Sequence, residues 1–219
     1  MTLFPTAIID LDERNQVLHF SAYISLVWTD ARLGWVPGNH GNITQVFLQQ
    51  SDVWVPTLQL RNSVVDWKSF GTNDNLLTLF QDGTRPNDVR VFLNVKVVDK
   101  IRCDIDVSYY PFDVQTCYFV FDFVPMTSDD IHMYHESSFP PLYLSYMDED
   151  GTWELIHTDC MHKYTYIPGW NVPNYDIVYS LVLRRRSSFH VLNIILPLVF
   201  VSMTASAVFL LPADAGKQF

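Results

Sequence analysis

Two cysteines separated by thirteen residues, Cys103 and Cys117, limit most strongly what this chain can fold into. If they bond, the bridge closes a short loop and stabilises the fold by about 3 kcal/mol, because it restricts the unfolded chain. Between them lie Tyr109 and the sequence Tyr-Pro-Phe-Asp at positions 110–113. Large apolar side chains in a loop need a surface to pack on, and a Tyr-Pro bond in a tight turn is a good candidate for a cis peptide. The spacing alone fits a plain disulfide-closed hairpin with a buried aromatic cluster equally well.

Composition favours a secreted or membrane-attached protein over one that binds nucleic acid. The chain has 219 residues, enough for one sandwich-sized domain and an additional segment, and a formal net charge of −10. An acidic surface repels phosphates, so nucleic acid is not expected as a partner. A bond between the two loop cysteines would indicate an extracellular setting and leave Cys160 unpaired. In that setting Asn42-Ile43-Thr44 is a glycosylation sequon with Asn42 as the acceptor.

Short apolar segments separated by turn residues predict a mainly β fold. In the longest segment, 89–101, one face carries Val89, Val91, Leu93, Val95 and Val97. Further strands are predicted within 7–30, 45–48, 53–60, 64–70, 76–80, 117–124, 151–156 and 177–183. This pattern predicts an immunoglobulin-like β-sandwich of about ten strands. A true immunoglobulin domain is disfavoured, because its disulfide spans two sheets and encloses a longer segment. Since the chain begins directly in a strand-like segment, we expect that a leader, with or without an N-terminal helix, has been removed.

The composition changes sharply after Arg186. Residues 189–211 carry no charge unless His190 is protonated, and they are long enough to cross a hydrocarbon core of about 30 Å as a helix. Pro197 lies in the middle of this run, where a membrane helix tolerates proline better than a soluble helix does. We therefore predict a transmembrane helix. The alternative is a buried helix of a soluble protein, which is usually shorter and amphipathic.

Together these features resemble the Cys-loop receptors, the pentameric ligand-gated ion channels, and in particular their nicotinic acetylcholine receptor branch. The sequence Tyr-Pro-Phe-Asp at 110–113 stands where the family has Phe-Pro-Phe-Asp. The other matching motifs are Trp28-Thr29-Asp30, Trp54-Val55-Pro56, Arg184-Arg185-Arg186, Leu192-Asn193-Ile194-Ile195-Leu196-Pro197 and Leu211-Pro212-Ala213-Asp214. They cover nearly the whole chain. The resemblance implies a bonded Cys103–Cys117 pair, and we expect an invertebrate orphan member of the branch.

The resemblance also implies a function and a division of the chain. It implies a subunit of a neurotransmitter-gated channel in the plasma membrane, not an enzyme. Residues 1–186 would form the extracellular ligand-binding domain, 187–211 the first transmembrane helix, and 212–219 the start of the linker to the pore-lining helix, with further helices missing from this chain. The implied partners are identical or homologous subunits in a pentameric ring, the lipid bilayer and a small-molecule ligand of unknown identity. No cofactor is implied, and the sequence contains no nucleophile elbow, Walker loop or HExxH motif.

In the family the loop and the basic run that precedes the membrane helix couple ligand binding to gating. The central arginine of that run, here Arg185, lies against the aspartate of the loop, here Asp113, and Pro111 and Phe112 belong to the same loop. Such a desolvated, hydrogen-bonded pair would link the sandwich rigidly to the helix. The alternative is that the three arginines at 184–186 only anchor the helix at the membrane surface.

The aromatic box that holds a quaternary ammonium in nicotinic receptors is incomplete here. The candidate ligand-binding positions are Tyr23, Arg61, Phe123, Val124, Tyr166, Trp170 and Tyr175. Arg61 replaces a tyrosine, Val124 replaces a tryptophan, and Cys160 stands alone where an adjacent cysteine pair marks the tip of the third loop. Because a guanidinium in a cation site repels the cation, we expect an anionic or zwitterionic ligand, or no conventional ligand, instead of acetylcholine.

Two other functions remain open at this point. One is a soluble pentamer similar to the acetylcholine-binding protein, against which the apolar run argues. The other is an accessory subunit that supports assembly and binds nothing, which the incomplete box favours.

Two groups of possible metal ligands and one lysine near the end of the sequence bear on metal binding and ion selectivity. His157, Cys160 and His162 carry suitable donors, but they are interpreted as loop residues without a fourth ligand, and His132 and His135 likewise as solvated residues, so no metal site is predicted. Lys217 occupies the glutamate position of the Gly-Glu-Lys run that opens the pore helix of cation-selective relatives. Cation selectivity is therefore not carried over.

Overall fold

A computed structural model shows two packed antiparallel sheets followed by an apolar helix. It describes residues 1–65, 75–81, 89–123, 142, 144, 147–148, 151–166 and 173–210, of which 165–166, 173–174 and 210 by backbone alone. The strands within these ranges are β1 (Thr2–Asp12), β2 (Val17–Thr29), β3 (Gln45–Gln49), β4 (Leu58–Leu60), β5 (Leu76–Phe80), β6 (Arg90–Arg102), β7 (Val114–Phe123), β8 (Trp153–Tyr166) and β9 (Pro173–Arg185). The expectation of a mainly β sandwich with one apolar helix is confirmed.

The nine described strands are divided between two sheets. The first sheet has five strands in the order β1-β2-β6-β5-β3, and the second has four in the order β4-β7-β9-β8. All pairs are antiparallel. Among the described strands the chain crosses between the sheets three times, and the last crossing, from β6 to β7, runs through the segment that the two cysteines close. Because β7 and β9 have a neighbour on each side, they are the internal strands of the second sheet.

Alternating apolar side chains of β6, together with the residue before it, form one side of the core. Those that the sequence assigned to the core face are all buried: Val89, Val91, Leu93, Val95 and Val97. From the second sheet, Phe119 of β7 packs edge to face on Phe20 of β2, with ring centroids 4.6 Å apart. The predicted core face of this strand is therefore confirmed.

The β8–β9 hairpin is longer than the apolar pattern predicts. The sequence placed strands only at 151–156 and 177–183, whereas β8 pairs with β9 along its whole length. His157, Cys160 and His162 therefore lie on a strand, and their interpretation as loop residues, with Cys160 at a loop tip, is wrong. Backbone hydrogen bonds to β9 hold this polar stretch extended without the apolar alternation that identifies a strand in sequence.

The apolar segment is helical throughout its described length, and its winding changes before the proline. It consists of α1 (Ser188–His190), a π-helical stretch (Val191–Ile195), α2 (Leu196–Ala207) and a 3₁₀ turn (Val208–Leu210). Pro197 has no N–H to donate, and the wider π winding accommodates its ring against the preceding turn. Residues 188–207, called the apolar helix below, are long and apolar enough to cross a membrane and are not buried against the rest of the described chain.

A disulfide joins the two sheets where the chain crosses from β6 to β7. Cys103 follows β6 directly, and Cys117 lies on β7; the two are bonded, with Cα atoms 5.0 Å apart. We call the segment from Cys103 to Cys117 the cysteine loop. An immunoglobulin disulfide also spans two sheets, so of the two contrasts drawn from the sequence only the shortness of the enclosed segment holds.

Replacing Phe119 by alanine should lower the free energy of unfolding by about 3–5 kcal/mol, because a ring buried between the sheets is lost and a cavity remains. The matched control is Phe47→Ala, since Phe47 lies on β3 and is 61% exposed. We expect the control to change stability by about 0.5 kcal/mol or less. Denaturant unfolding of the detergent-solubilised chain, followed by tryptophan fluorescence, measures both. Equal losses for the two variants would contradict the placement of the core.

Candidate functional site

The cysteine loop and the start of the apolar helix lie at the same end of the sandwich. Arg185, the last residue of β9, contacts the loop, and the helix begins three residues later at Ser188. Only two residues therefore separate β9, a strand of the second sheet, from the helix. This junction is the first of two candidate sites.

Two aromatic side chains of the loop, Tyr109 and Phe112, point outward. The Tyr110–Pro111 peptide bond is cis, as the turn favoured. Pro111 is buried, whereas Tyr109 and Phe112 are 77% and 64% exposed. The alternative of a hairpin with a buried aromatic cluster is therefore wrong. The loop instead presents an apolar surface away from the sandwich.

Asp113 and Arg185 form a buried, bidentate ion pair. The Arg185 Nε donates to Oδ1 of Asp113 at 2.7 Å and its Nη2 donates to Oδ2 at 2.9 Å. Both residues are buried, at 2% and 5% exposure respectively. The Gln115 Nε2 also donates to Asp113 Oδ2, at 2.6 Å. Planar pairing of this kind is among the strongest polar contacts in proteins and fixes geometry as well as energy.

Arg185 has three further neighbours that complete its surroundings. Its Nη1 lies 2.5 Å from Oε1 of Glu13, in the turn between β1 and β2. Its guanidinium carbon lies 4.3 Å from the ring centroid of Trp153 and 4.9 Å from that of Tyr110. One cation therefore contacts the β1–β2 turn, the cysteine loop and β8 at once. Cation–π contacts of a desolvated guanidinium contribute in addition to the ion pairs.

The network keeps both members of the central pair ionised. Burial would raise the pKa of Asp113, but hydrogen bonds from Arg185 and Gln115 outweigh it and hold the pKa below its ordinary value. Burial would lower the pKa of Arg185, but the bonds to Asp113 and Glu13 raise it instead. The ion pair can therefore hold the cysteine loop against the end of β9 at neutral pH.

The second candidate site surrounds Arg61, directly after β4. Its Nε donates to Asp122 Oδ2 at 3.0 Å, and Nη1 donates to Asp176 Oδ2 at 2.8 Å, with a second contact from Nη2 to Oδ1 of Asp176. Asp122 lies on β7 and Asp176 on β9, and both are buried. The arginine therefore ties three strands of the second sheet together. We call these three residues the Arg61 triad.

The triad changes the electrostatic interpretation of this site. Burial would lower the pKa of Arg61, but the two carboxylates raise it above its ordinary value. Because Arg61 faces two carboxylates, the formal charge of the triad is −1. The sequence-based expectation that Arg61 repels a cation considered the arginine without these two carboxylates, and it stays a prediction.

Tyr23 lies elsewhere, on the outer face of the first sheet. It is 43% exposed and pairs in register with Lys96 of β6, so it shares a face with Asn94, Phe92 and Arg90. An open groove of about 460 Å³ lies on this face. Its lining residues are Gln45, Thr78, Phe80, Arg90, Phe92 and Asn94. Tyr23 and the Arg61 triad thus belong to different sheets and are not brought together within one chain.

The other predicted ligand-binding residues are only partly described. Phe123 is 8% exposed and packs in the core, so it presents little surface to a ligand. Tyr175 is half-buried, and its ring stacks at a tilt on that of Tyr164, with centroids 4.3 Å apart. Val124, Trp170 and the side chain of Tyr166 lie outside the described residues.

Two surface expectations can be located on the structure. Asn42 is exposed in a loop with a positive φ of 60°, a conformation that asparagine tolerates. Among the residues that the structure describes, no group of three or more histidine, cysteine or acidic side chains could hold a metal ion. His132 and His135 lie outside those residues.

Sequence reasoning missed several partners of the two arginines. They are Glu13, Gln115 and Trp153 at the junction, and Asp122 and Asp176 in the triad. Asp122 carried a usable signal, because a single charge in the apolar strand CYFVFDF indicates a buried ion pair. Glu13 carried none, since an acidic residue in a turn is ordinary.

Replacing Asp113 by asparagine should lower the free energy of unfolding by about 3–5 kcal/mol at pH 7, because a buried ion pair loses one partner. The pKa of Asp113 is lowered in the folded chain, so its contribution is present above about pH 4 and is lost as the pH falls through the folded pKa. The difference in melting temperature between the two proteins should therefore shrink towards zero below pH 4. A difference that persists unchanged at low pH would contradict a stabilising contribution that depends on the ionised Asp113 carboxylate.

Comparison with known proteins adds a family to this geometry. The family model of the neurotransmitter-gated ion-channel ligand binding domain matches residues 1–187. The chain is 29% identical over 209 residues to the neuronal acetylcholine receptor subunit alpha-9 of Gallus gallus, covering 95% of this chain and 41% of that protein. It is 31% identical over 215 residues to the alpha-10 subunit of Homo sapiens, covering 96% and 45%, and 27% identical over 219 residues to the acetylcholine receptor subunit alpha-like 2 of Drosophila melanogaster, covering 96% and 37%.

The chain spans about two fifths of the length of these relatives. The matched family is one of ligand-gated ion channels and is not an enzyme family. The family model covers both sheets, the cysteine loop and the Asp113–Arg185 pair, and it ends where the apolar helix begins. The chain therefore belongs to the neurotransmitter-gated ion-channel ligand-binding domain family.

Proposed function

We propose that this chain is the ligand-sensing part of one subunit of a pentameric neurotransmitter-gated channel in the plasma membrane. Residues 1–186 form the extracellular domain, 187–211 the first membrane helix and 212–219 the start of the linker to the pore-lining helix. Family membership and the uncovered apolar helix support this proposal. The acetylcholine receptor names of its relatives point to the same class of channel.

The observation that carries the proposal is the buried Asp113–Arg185 pair. It attaches the cysteine loop to the end of β9, three residues before the helix begins. A displacement of β9 or of the loop is therefore passed to the helix without a flexible connection between them. Ligand binding that favours one arrangement of the sandwich would shift the channel between closed and open states. The exposed Phe112 and Tyr109 offer the loop an apolar contact with the remaining membrane helices.

The ligand site is proposed to lie between neighbouring subunits. Tyr23 and the groove beside Arg90 lie on the first sheet, whereas the Arg61 triad and Tyr175 lie on the second. A closed ring with head-to-tail contacts would place the first set of one subunit opposite the second set of the next. The described candidate residues that a single chain keeps apart would then line one cavity.

The charges at these two surfaces favour a ligand that carries both signs. The groove contains the exposed guanidinium of Arg90, which also lies 5.8 Å from the ring centroid of Phe80. The Arg61 triad on the other surface has a formal charge of −1. An amino-acid-like zwitterion could direct its carboxylate to Arg90 and its ammonium towards the triad. Acetylcholine lacks the carboxylate and would not use Arg90.

A second candidate is an accessory subunit that assembles into the ring and binds no agonist. It is favoured by the burial of Phe123 in the core and by the closed pairing of Arg61. A soluble pentamer is not favoured, because the apolar helix would expose its whole length to water. Glycosylation of Asn42, the invertebrate origin and the orphan status stay predictions, and with Lys217 at the glutamate position cation selectivity is not carried over from the relatives.

Replacing Arg185 by alanine in the full-length subunit should abolish or strongly reduce ligand-evoked current, because Asp113 is left buried without its counter-charge. The matched control is Arg184→Ala, since Arg184 is exposed and pairs only with Glu154 in the described chain. Oocyte currents and surface labelling of pentamers measure gating and assembly separately. A double-mutant cycle of Asp113→Ala with Arg185→Ala should show non-additive effects. Additivity, or equal effects at 184 and 185, would exclude the proposed coupling.

Replacing Arg90 by glutamine should raise the half-maximal concentration of a carboxylate-bearing agonist roughly tenfold or more, because a charge-assisted hydrogen bond is lost. The control is Arg102→Gln, which removes an exposed arginine at the other end of the same strand. Screening amino acids, amines and acetylcholine on oocytes that express the full-length subunit identifies the agonist. A channel opened by acetylcholine and unaffected by Arg90→Gln would contradict the proposed ligand class.

A further inference from the structure

A second contact joins the cysteine loop to the apolar helix, beside the Asp113–Arg185 pair. The hydroxyl of Tyr110 lies 2.6 Å from Nδ1 of His190, the last residue of α1. The two rings are 5.1 Å apart and cross at 65°. The contact therefore spans from the loop to the first turn of the helix, which the ion pair at Arg185 does not reach.

The direction of this hydrogen bond and the tautomer of the imidazole determine each other. A tyrosine hydroxyl donates one hydrogen, and a neutral imidazole nitrogen without a proton accepts it. With Nδ1 as the acceptor, the proton of neutral His190 lies on Nε2. Once the imidazole is protonated, Nδ1 becomes a donor, and the tyrosine oxygen has to accept instead of donate.

The charged groups around the contact oppose that exchange. The guanidinium carbon of Arg185 lies 4.9 Å from the centroid of the Tyr110 ring. That cation is held by Asp113 of the loop and Glu13 of the β1–β2 turn. On the helix, Phe189 contacts His190 edge to face and carries no charge. An imidazolium would share the Tyr110 ring with a second cation whose carboxylates are already engaged.

We propose that Tyr110 and His190 are positioning residues that hold the first turn of the helix to the loop, and that protonation of His190 weakens this hold and so changes gating. This inference rests on the proposed channel function. It concerns a different side-chain pair from Asp113–Arg185, since the Tyr110 hydroxyl bonds to His190, whereas the Asp113 carboxylate accepts from Arg185 and Gln115.

Tyr110→Phe removes the hydroxyl and leaves the ring that faces Arg185. It therefore tests the hydrogen bond without removing the cation–π contact. Tyr109→Phe is the matched control, because Tyr109 is the neighbouring tyrosine and is 77% exposed. For the histidine, His190→Phe removes the acceptor. Its control is His162→Phe, because the His162 side chain is exposed on β8.

The first experiment tests the contact without requiring channel activity. The 219-residue chain is prepared in detergent with nitrogen-15-labelled histidine, and His190 is identified from the signals that His190→Phe removes. The expected result is the Nε2–H tautomer, with Nδ1 shifts that change in Tyr110→Phe and not in Tyr109→Phe. An Nδ1–H tautomer, or signals of His190 that are the same in both variants, would overturn the proposal.

The second experiment tests the role in gating. Currents of the full-length subunit are recorded between pH 5.5 and 8.5, the interval in which histidine side chains generally change charge. In the wild type the half-maximal agonist concentration should depend on pH. Tyr110→Phe and His190→Phe should each remove the same part of that pH dependence. The double variant should remove no more than either single variant. Unchanged pH profiles, or additive effects, would overturn the gating role. A silent wild-type channel that retains the Nε2–H signature contradicts the proposed function while supporting the contact.

Discussion

The structure depends on one buried cation. Arg185 is almost fully desolvated, and a guanidinium in that position is tolerated only if its hydrogens and charge are matched by fixed partners. Asp113, Glu13 and the ring of Trp153 supply them from three separate parts of the sandwich. Satisfying one side chain thus fixes the relative position of the β1–β2 turn, the cysteine loop and the end of β9. The disulfide adds a covalent restraint to the same end, where the chain crosses between the sheets.

Local patterns predicted the parts of the fold that local physics determines. The alternation of β6, the short cysteine spacing and the long uncharged run each depend on neighbours within about twenty residues. The extent of β8 could not be read in this way. Backbone pairing with β9 holds the polar residues of β8 in place. The apolar pattern of the sequence predicts neither the length of that pairing nor its register.

The partners of the arginines were missed for a related reason. Arg61 lies 61 positions from Asp122 and 115 from Asp176, and only the packing of β4, β7 and β9 brings them together. Judged alone, Arg61 was a positive charge in a ligand site; judged with its partners, it belongs to an acidic cluster. Resemblance supplied the Asp113–Arg185 contact because that pair follows a family pattern, but it could not supply contacts made by residues that differ from the family.

The two arginine clusters act on one strand. Asp176 lies near the beginning of β9 and Arg185 at its end, which are about 30 Å apart at about 3.3 Å per residue. A paired strand neither stretches nor buckles easily, so β9 would move together with β7 and β8 as a stiff unit that has a guanidinium contact near each end. A tilt of about five degrees at the Arg61 contact would displace the far end by between 2 and 3 Å, on the order of the movements that helices make at bistable interfaces. The length of the strand would thus provide mechanical amplification without any hinge along it.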